Sequence, residues 1–497
     1  MENLIFDIFT VLVVVILNYM AFGSVLGKNR NLEILCIVIS GLILMVYMST
    51  DFYLHEWDER YHALVAKNII ENPLKPMLYS DPVLPFDIKQ WASNHIWLHK
   101  QPVPLWSMGL SMAVFGVNEI ALRLPSIVLF SLSVYVMFLL GKELFSYRVG
   151  KISALLFAIN GIILEVGSGR IPTDHIDLFF LCFVLFSVYN AVVFFKRRKS
   201  RYNLLFGFCL GFAILSKWLP ALIVVPIWIM LSQFFNTYTK KELFVELVKA
   251  LAIVCMIVIP WQWYAITEFP QEYLWESTYN LLHITEVLSD QGGSWFYHFE
   301  KLRINYGELV YLPVLWFLYK TVKQKKDFRY WAISIWFIVP YIFFSFVATK
   351  MQGYTMFAAP AVFLIIAIFI EALINKEALE KHQWITKTIV ILLIALPIRF
   401  SIERMKPFTQ RERTPRWVNS FKNFERNTKK EKNVVFNISR PIEFMFYTSH
   451  VAYRKTPTVQ EVTSIVNKGY RVVINGKLEN YPMLSKLNEI QFIEIVN

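Results

Sequence analysis

A chain of 497 residues that is 56% hydrophobic and only 18% charged departs from a soluble domain, where about a quarter of residues are charged. The net charge of +13 sits largely in short loops beside apolar runs, where membrane topology accounts for it, and this argues against a nucleic-acid partner. Cys36, Cys182, Cys209 and Cys255 each fall within an apolar run and read as small core residues, so neither a disulfide framework nor a metal-binding cysteine pair is visible.

The chain opens on an apolar stretch with Glu2 and Asp7 where a secretory leader carries positive charge, and the stretch is too long for a leader's core. It reads as a retained first span. A span needs about 20 mainly apolar residues to cross roughly 30 Å of hydrocarbon. The expected fold is therefore an all-α polytopic membrane protein of about twelve transmembrane helices. They lie near 3–26, 32–50, 118–141, 150–167, 174–195, 203–216, 219–235, 246–264, 304–320, 330–347, 354–374 and 384–400. The sixth and seventh are short and meet at Ser216-Lys217-Trp218, a break tolerated only where it faces protein or a water-filled cavity.

Lys and Arg collect in alternate loops, which orients the spans. Lys28-Asn29-Arg30, Lys142 to Lys151, Lys196 to Arg201, Lys240-Lys241, Lys323 to Arg329 and Lys376 to Lys387 all fall on one side, read as cytoplasmic. The opposite, outer side then carries 51–117, 265–303, 348–353 and the tail from 401. Residues 58–71 and 101–115 read as interfacial helices, and Trp57, Trp91, Trp97 and Trp106 suit a surface at headgroup level. One stretch fits badly: Arg399 to Lys430 is strongly basic, yet lies outside. Long translocated segments escape the rule, and such a stretch could rest on anionic lipid.

The domain division is a transmembrane unit over 1–400, then a basic linker and a small non-cytoplasmic α/β domain over 401–497. Strands are expected at Asn433 to Ile438 and Tyr470 to Asn475, with a helix around Thr458 to Asn467.

Once cytoplasmic cations are explained, Arg60, Lys100, Arg123, Arg170, Lys217, Arg303 and Lys350 remain at the outer ends of spans. Singly, each could snorkel or form a salt bridge; converging, they would make a pocket for a phosphorylated ligand. His55-Glu56-Trp57-Asp58-Glu59-Arg60-Tyr61-His62 follows the second span, with Asp58, Tyr61 and His62 on one helical face. A carboxylate there could deprotonate a hydroxyl or hold a metal; the plain alternative is an acidic helix start. Arg170-Ile171-Pro172-Thr173-Asp174-His175-Ile176-Asp177 opens the fifth span, where Thr173 could cap the helix and Asp177 sits at the edge of an apolar run. Leu98-His99-Lys100-Gln101-Pro102 precedes a proline-bounded helix, and His99 and His298 are isolated candidate ligands for a divalent metal.

In order, these pieces resemble the membrane-embedded C-type glycosyltransferases that use polyprenyl-phosphate sugars, a family including the lipid A aminoarabinose transferase and the protein O-mannosyltransferases. The matching elements are Asp58-Glu59-Arg60-Tyr61, His99-Lys100-Gln101-Pro102 before Leu105-Trp106, Arg123-Leu124-Pro125-Ser126, Thr173-Asp174 and Leu215-Ser216-Lys217. Gly293-Ser294-Trp295-Phe296-Tyr297 and Thr349-Lys350 through Tyr354 to Pro360 complete a series covering roughly 32–374. The resemblance implies that Asp58 is the first-loop catalytic carboxylate and Asp174 a second functional acid. Lys100 would bind the donor phosphate, helped by Arg170, Lys217 and Lys350, with Glu59 and Tyr61 also on the substrate side. The family's Lys-Pro-Pro-like motif is interrupted by Gln101, and His99 stands where the aminoarabinose enzyme has a metal-binding Glu before the Lys.

The expected activity is sugar transfer, with inversion, from a polyprenyl-phosphate donor to a lipid A, glycan or protein acceptor of the cell envelope. Its place would be the outer face of the cytoplasmic membrane. The alternatives are a transporter or flippase of polyprenyl-linked sugars and a non-catalytic envelope assembly factor. Transporters typically carry internal repeats and midplane sites; this sequence shows no repeat, and its polar residues cluster beside a long loop.

Overall fold

The computed structural model describes residues 2–23, 29–375, 383–428 and 432–496. Residues 24–26 of the expected first span, Lys28, residues 376–382 of the sixth basic loop, and Lys430 lie outside the described residues.

Helices α1 (Glu2–Phe22) and α2 (Arg30–Ser49) pack as a pair, the second started by Asn29, whose side chain accepts the Leu32 N–H at 3.3 Å. The loop after α2 folds into α3 (Glu59–Ile69) and α4 (Pro102–Phe115), close to the two expected short helices. Next comes α5 (Glu119–Leu144), capped by Asn118 at the Ala121 N–H. α6 (Tyr147–Ala158) and α7 (Gly161–Gly167) form one span bent by 54°. The bend falls at Asn160, which caps α7 at the Ile163 N–H and donates to the Asn305 carbonyl at 2.8 Å. Gly141 on α5 and Gly150 on α6 let the two backbones touch, since a Cβ on Gly141 would sit 2.7 Å from the Gly150 Cα. Close approach of this kind drives helix association where lipid removes the hydrophobic incentive.

The long helix α8 (Asp174–Arg197) runs through the centre, burying Phe179, Phe180, Phe194 and Phe195 against α5, α7, α9 (Ser200–Lys217) and α10 (Val224–Phe235). A Thr239–Glu242 capping box opens α11 (Lys240–Glu268). The second long loop holds α12 (Pro270–Thr285) and α13 (Tyr297–Tyr306). α14 (Tyr311–Lys323), α15 (Phe328–Phe346), α16 (Ala359–Ile374) and α17 (Gln383–Met405) close the bundle. Among the described residues, eight helices are long and apolar enough to cross a membrane, or nine with the bent pair. The chain is a multi-pass membrane protein. The other three of the twelve expected spans, at α9, α10 and α14, fall short of that criterion. Cys36, Cys182 and Cys209 are buried as expected, whereas Cys255 lies exposed on α11.

After α17 the chain forms α18 (Arg416–Thr428), β1 (Asn433–Phe436), α19 (Pro441–Tyr447), β2 (Val451–Ala452), α20 (Val459–Asn467), β3 (Arg471–Asn475) and β4 (Ile490–Ile493). The sheet is wholly parallel, in the order β2-β1-β3-β4, with Val434 opposite Val472 and Val473 opposite Gln491. The expected strands and helix are β1, β3 and α20; β2 and β4 are additional. This module rests on the first loop. Tyr61, Leu64, Val65, Tyr79 and Trp97 share one apolar cluster with Phe421, Val435, Phe444 and Val473. Lys67 plugs the end of α19, donating to the carbonyls of Met445 (2.7 Å), Phe446 (3.1 Å) and Thr448 (2.5 Å). That docking corrects the reading of two tryptophans as headgroup anchors. Trp97 is fully buried in this cluster, and Trp91 stacks on His99 at 4.8 Å.

Candidate active site

Asp58 immediately precedes α3 and makes no side-chain cap to that helix. Its Oδ2 instead accepts the Thr173 N–H at 3.1 Å and lies 3.8 Å from Lys100 Nζ. Burial works to raise the Asp58 carboxyl, but Lys100, His62, the Thr173 N–H and His99 outweigh it and hold the group below its usual range. Asp58 is thus ionised at neutral pH, and its side chain, 22% exposed, is open to a ligand. The 3.8 Å gap leaves the Lys100 ammonium free to turn to another anion.

Thr173 links Asp58 to a second charged pair. Its hydroxyl donates to Asp177 Oδ2 rather than capping α8, contrary to the capping role expected for it. Asp177 Oδ1 is paired with Lys217, which stands at the end of α9 where the sequence breaks at Ser216-Lys217-Trp218. Lys217 also lies 4.9 Å above the Tyr354 ring. Glycine is required beside this pair, because a Cβ at Gly353 would fall 2.6 Å from Asp177 Oδ2. Thr173 (φ 68°) and Asp174 (φ 22°) both occupy left-handed backbone. Such strain costs about 1–3 kcal/mol per residue and persists where the surroundings fix a particular geometry.

Asp174 is fully buried, with His62 Nδ1 on its Oδ1 at 2.8 Å. It stands beside Thr173 and is closed to water; one oxygen joins α8 to α3 through His62, and the other, Oδ2, is buried without a hydrogen-bond partner. Glu59 is also removed from the substrate side. Its Oε1 takes Arg123 Nε at 2.6 Å and His175 Nε2 at 3.2 Å; its Oε2 takes Arg123 Nη2 at 2.8 Å and the His55 N–H at 2.8 Å. A carboxylate offers about four lone-pair positions, and all four are used. Tyr61 turns toward the C-terminal module, edge-on to Trp91 at 4.9 Å, with Arg60 on its hydroxyl at 3.3 Å.

The remaining expected residues lie elsewhere. Arg170 donates to Asp51 Oδ2 at 2.7 Å, away from Lys100. Lys350 is buried and donates to the carbonyls of Phe344 (3.3 Å), Ser345 (2.9 Å) and Val347 (2.6 Å) at the end of α15, which leaves no donor for a phosphate. His99 and His298 have separate neighbours. His99 meets Glu276 Oε2 at 3.0 Å beneath Trp91, while His298 lies beside Phe344 with neither ring nitrogen bonded. Burial, with Lys350 adding to it, pushes His298 down to about 4. Burial and Lys100 lower His99 against the pull of Glu276. Among the described residues no group of three or more His, Cys, Asp or Glu could hold a metal ion. Sequence reasoning missed Glu276, which is 177 residues from His99, and Asp51, which ends the second span like an ordinary polar boundary.

The arrangement offers a half-buried carboxylate 3.8 Å from a lysine ammonium, with a second lysine pair one threonine away. It can accept a proton and bind a phosphate at adjoining positions.

A family model described as dolichyl-phosphate-mannose-protein mannosyltransferase matches residues 99–264. An uncharacterized protein of Aquifex aeolicus is 24% identical over 370 residues, covering 72% of this chain and 69% of that one. The undecaprenyl phosphate-alpha-4-amino-4-deoxy-L-arabinose arabinosyl transferase of Photorhabdus laumondii is 22% identical over 307 residues, or 60% of this chain. The match spans about half (52%) of that transferase's length. In fold, the chain is similar to ArnT from Cupriavidus metallidurans bound to undecaprenyl phosphate (TM-score 0.64, 14% identity, 91% of this chain and 94% of that one). It is also similar to the oligosaccharyltransferase AglB of Archaeoglobus fulgidus, in complex with an inhibitory peptide and a dolichol-phosphate (TM-score 0.60, 14% identity, 87% and 65%). Motif order and family model agree that the chain is similar to the membrane-embedded C-type glycosyltransferases, and its fold is like that of ArnT.

Proposed function

We propose that this protein is a glycosyltransferase that moves a sugar from a polyprenyl-phosphate donor to a cell-envelope acceptor, whether lipid, glycan or protein. The observation that carries this reading is the meeting of Asp58, Lys100 and Thr173, from three separate segments, at one end of the bundle. The relatives supply the substrate class, since their names specify undecaprenyl- or dolichyl-phosphate-linked sugars.

In this mechanism Lys100 pairs with the donor phosphate, and Lys217 adds positive potential from beside Asp177. A hydroxyl acceptor gives its proton to Asp58, and the acceptor oxygen bonds to the anomeric carbon from the face opposite the phosphate. The bond from that carbon to the phosphate oxygen breaks with its electron pair, releasing polyprenyl phosphate and inverting the centre. A phosphate acceptor needs no deprotonation. His99 and Glu276 supply two donors and, among the described residues, no third joins them, so no step is assigned to a metal.

The site is assigned to the outer face of the cytoplasmic membrane because the basic loops gather at the other end of the spans. Two features support twelve crossings. Asp174 opens α8 and Lys217 closes α9 at the end occupied by the first loop, in keeping with α9 and α10 crossing the bundle. The C-terminal module docks on that same loop, so an even number of crossings must separate them.

The test uses purified full-length protein with radiolabelled polyprenyl-phosphate mannose or polyprenyl-phosphate aminoarabinose and envelope extract as acceptor. Label should pass to the acceptor, and Asp58→Asn should abolish the transfer. Full turnover by Asp58→Ala on a hydroxyl acceptor, or movement of label across vesicles without transfer, sinks the reading.

A further inference from the structure

The sheet of the C-terminal module reverses its strand order between β1 and β3, the place beyond whose carboxyl ends an open α/β sheet usually binds its ligand. Here that crevice is filled. Asn437 Nδ2 donates to the Asn475 carbonyl at 2.7 Å and to the Tyr481 hydroxyl at 2.8 Å, and Asn475 Nδ2 donates to the Asn437 carbonyl at 3.3 Å. The chain that leaves β1 at this edge runs on into Arg440 and α19, and both reach the turn that carries Asp58.

Four charges alternate across that contact. Glu56 Oε1 accepts Arg440 Nη2 at 2.5 Å, Arg440 Nη1 lies 3.6 Å from Glu443 Oε1, and the same oxygen accepts Arg60 Nη1 at 3.2 Å. Glu56 is exposed, and an exposed pair of this kind adds little stability. Glu443 differs. It is fully buried, its Oε2 has no hydrogen-bond partner, and among the described residues its charge is met by Arg60 and Arg440 alone. A buried ion pair is a poor source of net stability, and its best-attested use is to fix one geometry.

The geometry fixed here is that of Asp58. Glu56 and Arg60 lie two residues before and two after that carboxylate. Their neighbours His55 and Glu59 are bound from the bundle side by Arg123 of α5. The start of α3 is therefore gripped on two adjacent flanks, by α5 and by the module, while Asp58 reaches Thr173 and Lys100. One grip alone leaves the turn free to roll; two set the direction of the carboxylate.

We propose that Arg440 and Glu443 are positioning residues for Asp58, so that the C-terminal module completes the active site by clamping the residues on either side of the carboxylate. The inference rests on the transferase reading, in which Asp58 takes the acceptor's proton. Lys100 and Lys217 stand on other segments, before α4 and at the end of α9, so the donor phosphate keeps its partners when the clamp is lost.

The test compares purified full-length wild type, Arg440→Gln, Glu443→Gln and Lys468→Met in lipid nanodiscs. It measures steady-state transfer from radiolabelled polyprenyl-phosphate mannose or polyprenyl-phosphate aminoarabinose, and hydrogen exchange over residues 54–66. Lys468 ties the module to the first loop at the Val83 carbonyl (2.9 Å), in the apolar cluster of Val83 and Leu84 rather than that of Tyr61, so its variant reports docking in general. Arg440→Gln and Glu443→Gln should lower kcat roughly ten- to hundredfold, as expected for a catalytic group displaced by up to about 1 Å. Donor KM should stay within about twofold of wild type. Exchange should quicken over 54–66 but not over β1 and β3, and Lys468→Met should match wild type in kcat. Arg440→Gln leaves Glu443 paired with Arg60 and carries the comparison if Glu443→Gln does not fold. Unchanged kcat in Arg440→Gln, a rise in KM without a fall in kcat, or an equal loss in Lys468→Met overturns the proposal. A wild type that transfers no sugar sinks the transferase reading instead. The exchange measurement then decides the clamp, and equal exchange in wild type and Arg440→Gln overturns it.

Discussion

Replacing Arg123 by Met keeps most of the aliphatic stem and removes the guanidinium from a fully buried ion pair that joins α5 to Glu59 of α3. Arg123 and Glu59 are both fully buried and joined by two bonds of 2.6 and 2.8 Å. Arg123 also donates to the carbonyls of Ser49 at 2.9 Å, Asp51, and Tyr53 at 2.7 Å. Removing one partner of a buried pair costs about 3–5 kcal/mol, because the other charge stays buried alone. The three orphaned carbonyls push the figure toward the upper limit. That is a third or more of the roughly 5–15 kcal/mol that holds a typical fold together. The double variant Arg123→Met with Glu59→Gln removes both charges and should be less damaging than the sum of the single changes by about 2 kcal/mol. Reversible unfolding in mixed micelles measures all four proteins. A single variant within about 0.5 kcal/mol of wild type, or a double variant worse than the sum, refutes the claim that this pair anchors α3.

Lys67→Met removes a buried ammonium from three carbonyls of the C-terminal module and should loosen its docking by about 2–3 kcal/mol; an unchanged rate of protease cleavage between Met405 and Arg416 would speak against it. Burial lowers Lys67 to about 8, so its ammonium is still charged at neutral pH, where this comparison belongs. His298 takes a proton at about 4 when folded and near its ordinary value of about 6.5 when unfolded. The unfolded chain therefore binds more protons between those values, and stability falls as pH drops through that window. His298→Phe should flatten that decline, and identical pH profiles of thermal melting for the two proteins would contradict this. Lys100 helps to hold Asp58 ionised, so Lys100→Met should move the acidic limb of the transfer rate to higher pH. A limb that stays in place, measured at saturating donor, would separate the two residues.

The fold was legible where it depends on apolar length and capping, and the site was legible only in part. Spans announced themselves through runs such as Leu178 to Phe195, and α20 through the Thr458–Glu461 capping box. β2, two residues long, and β4, which lies partly open, carry too little pattern to be seen. Asp58 and Lys100 were readable because an acid and a base at span ends have no topological reason to be there. Glu59, Arg170 and Lys350 were readable on the same ground but take other roles. A buried ion pair, an arginine on Asp51 and a lysine on three carbonyls look the same as ligand-binding groups until their partners are known. Arg170 meets Asp51 across 119 residues and Glu59 meets Arg123 across 64, separations that no local spacing encodes, whereas Lys350 takes carbonyls only three to six residues back once the chain turns after α15.

The bond from Lys67 to the Met445 carbonyl closes a loop of 378 residues. At about 5–20 residues per second of synthesis, α3 waits roughly 20–80 s in the translocation machinery before its acceptors have been made. Throughout that interval the carboxylate at its head rides on an element with a free far end. A ribosome that stalls between Met405 and Pro441 therefore leaves behind an inserted bundle whose α3 is held at its head by Arg123 and Asp174 but not at its far end.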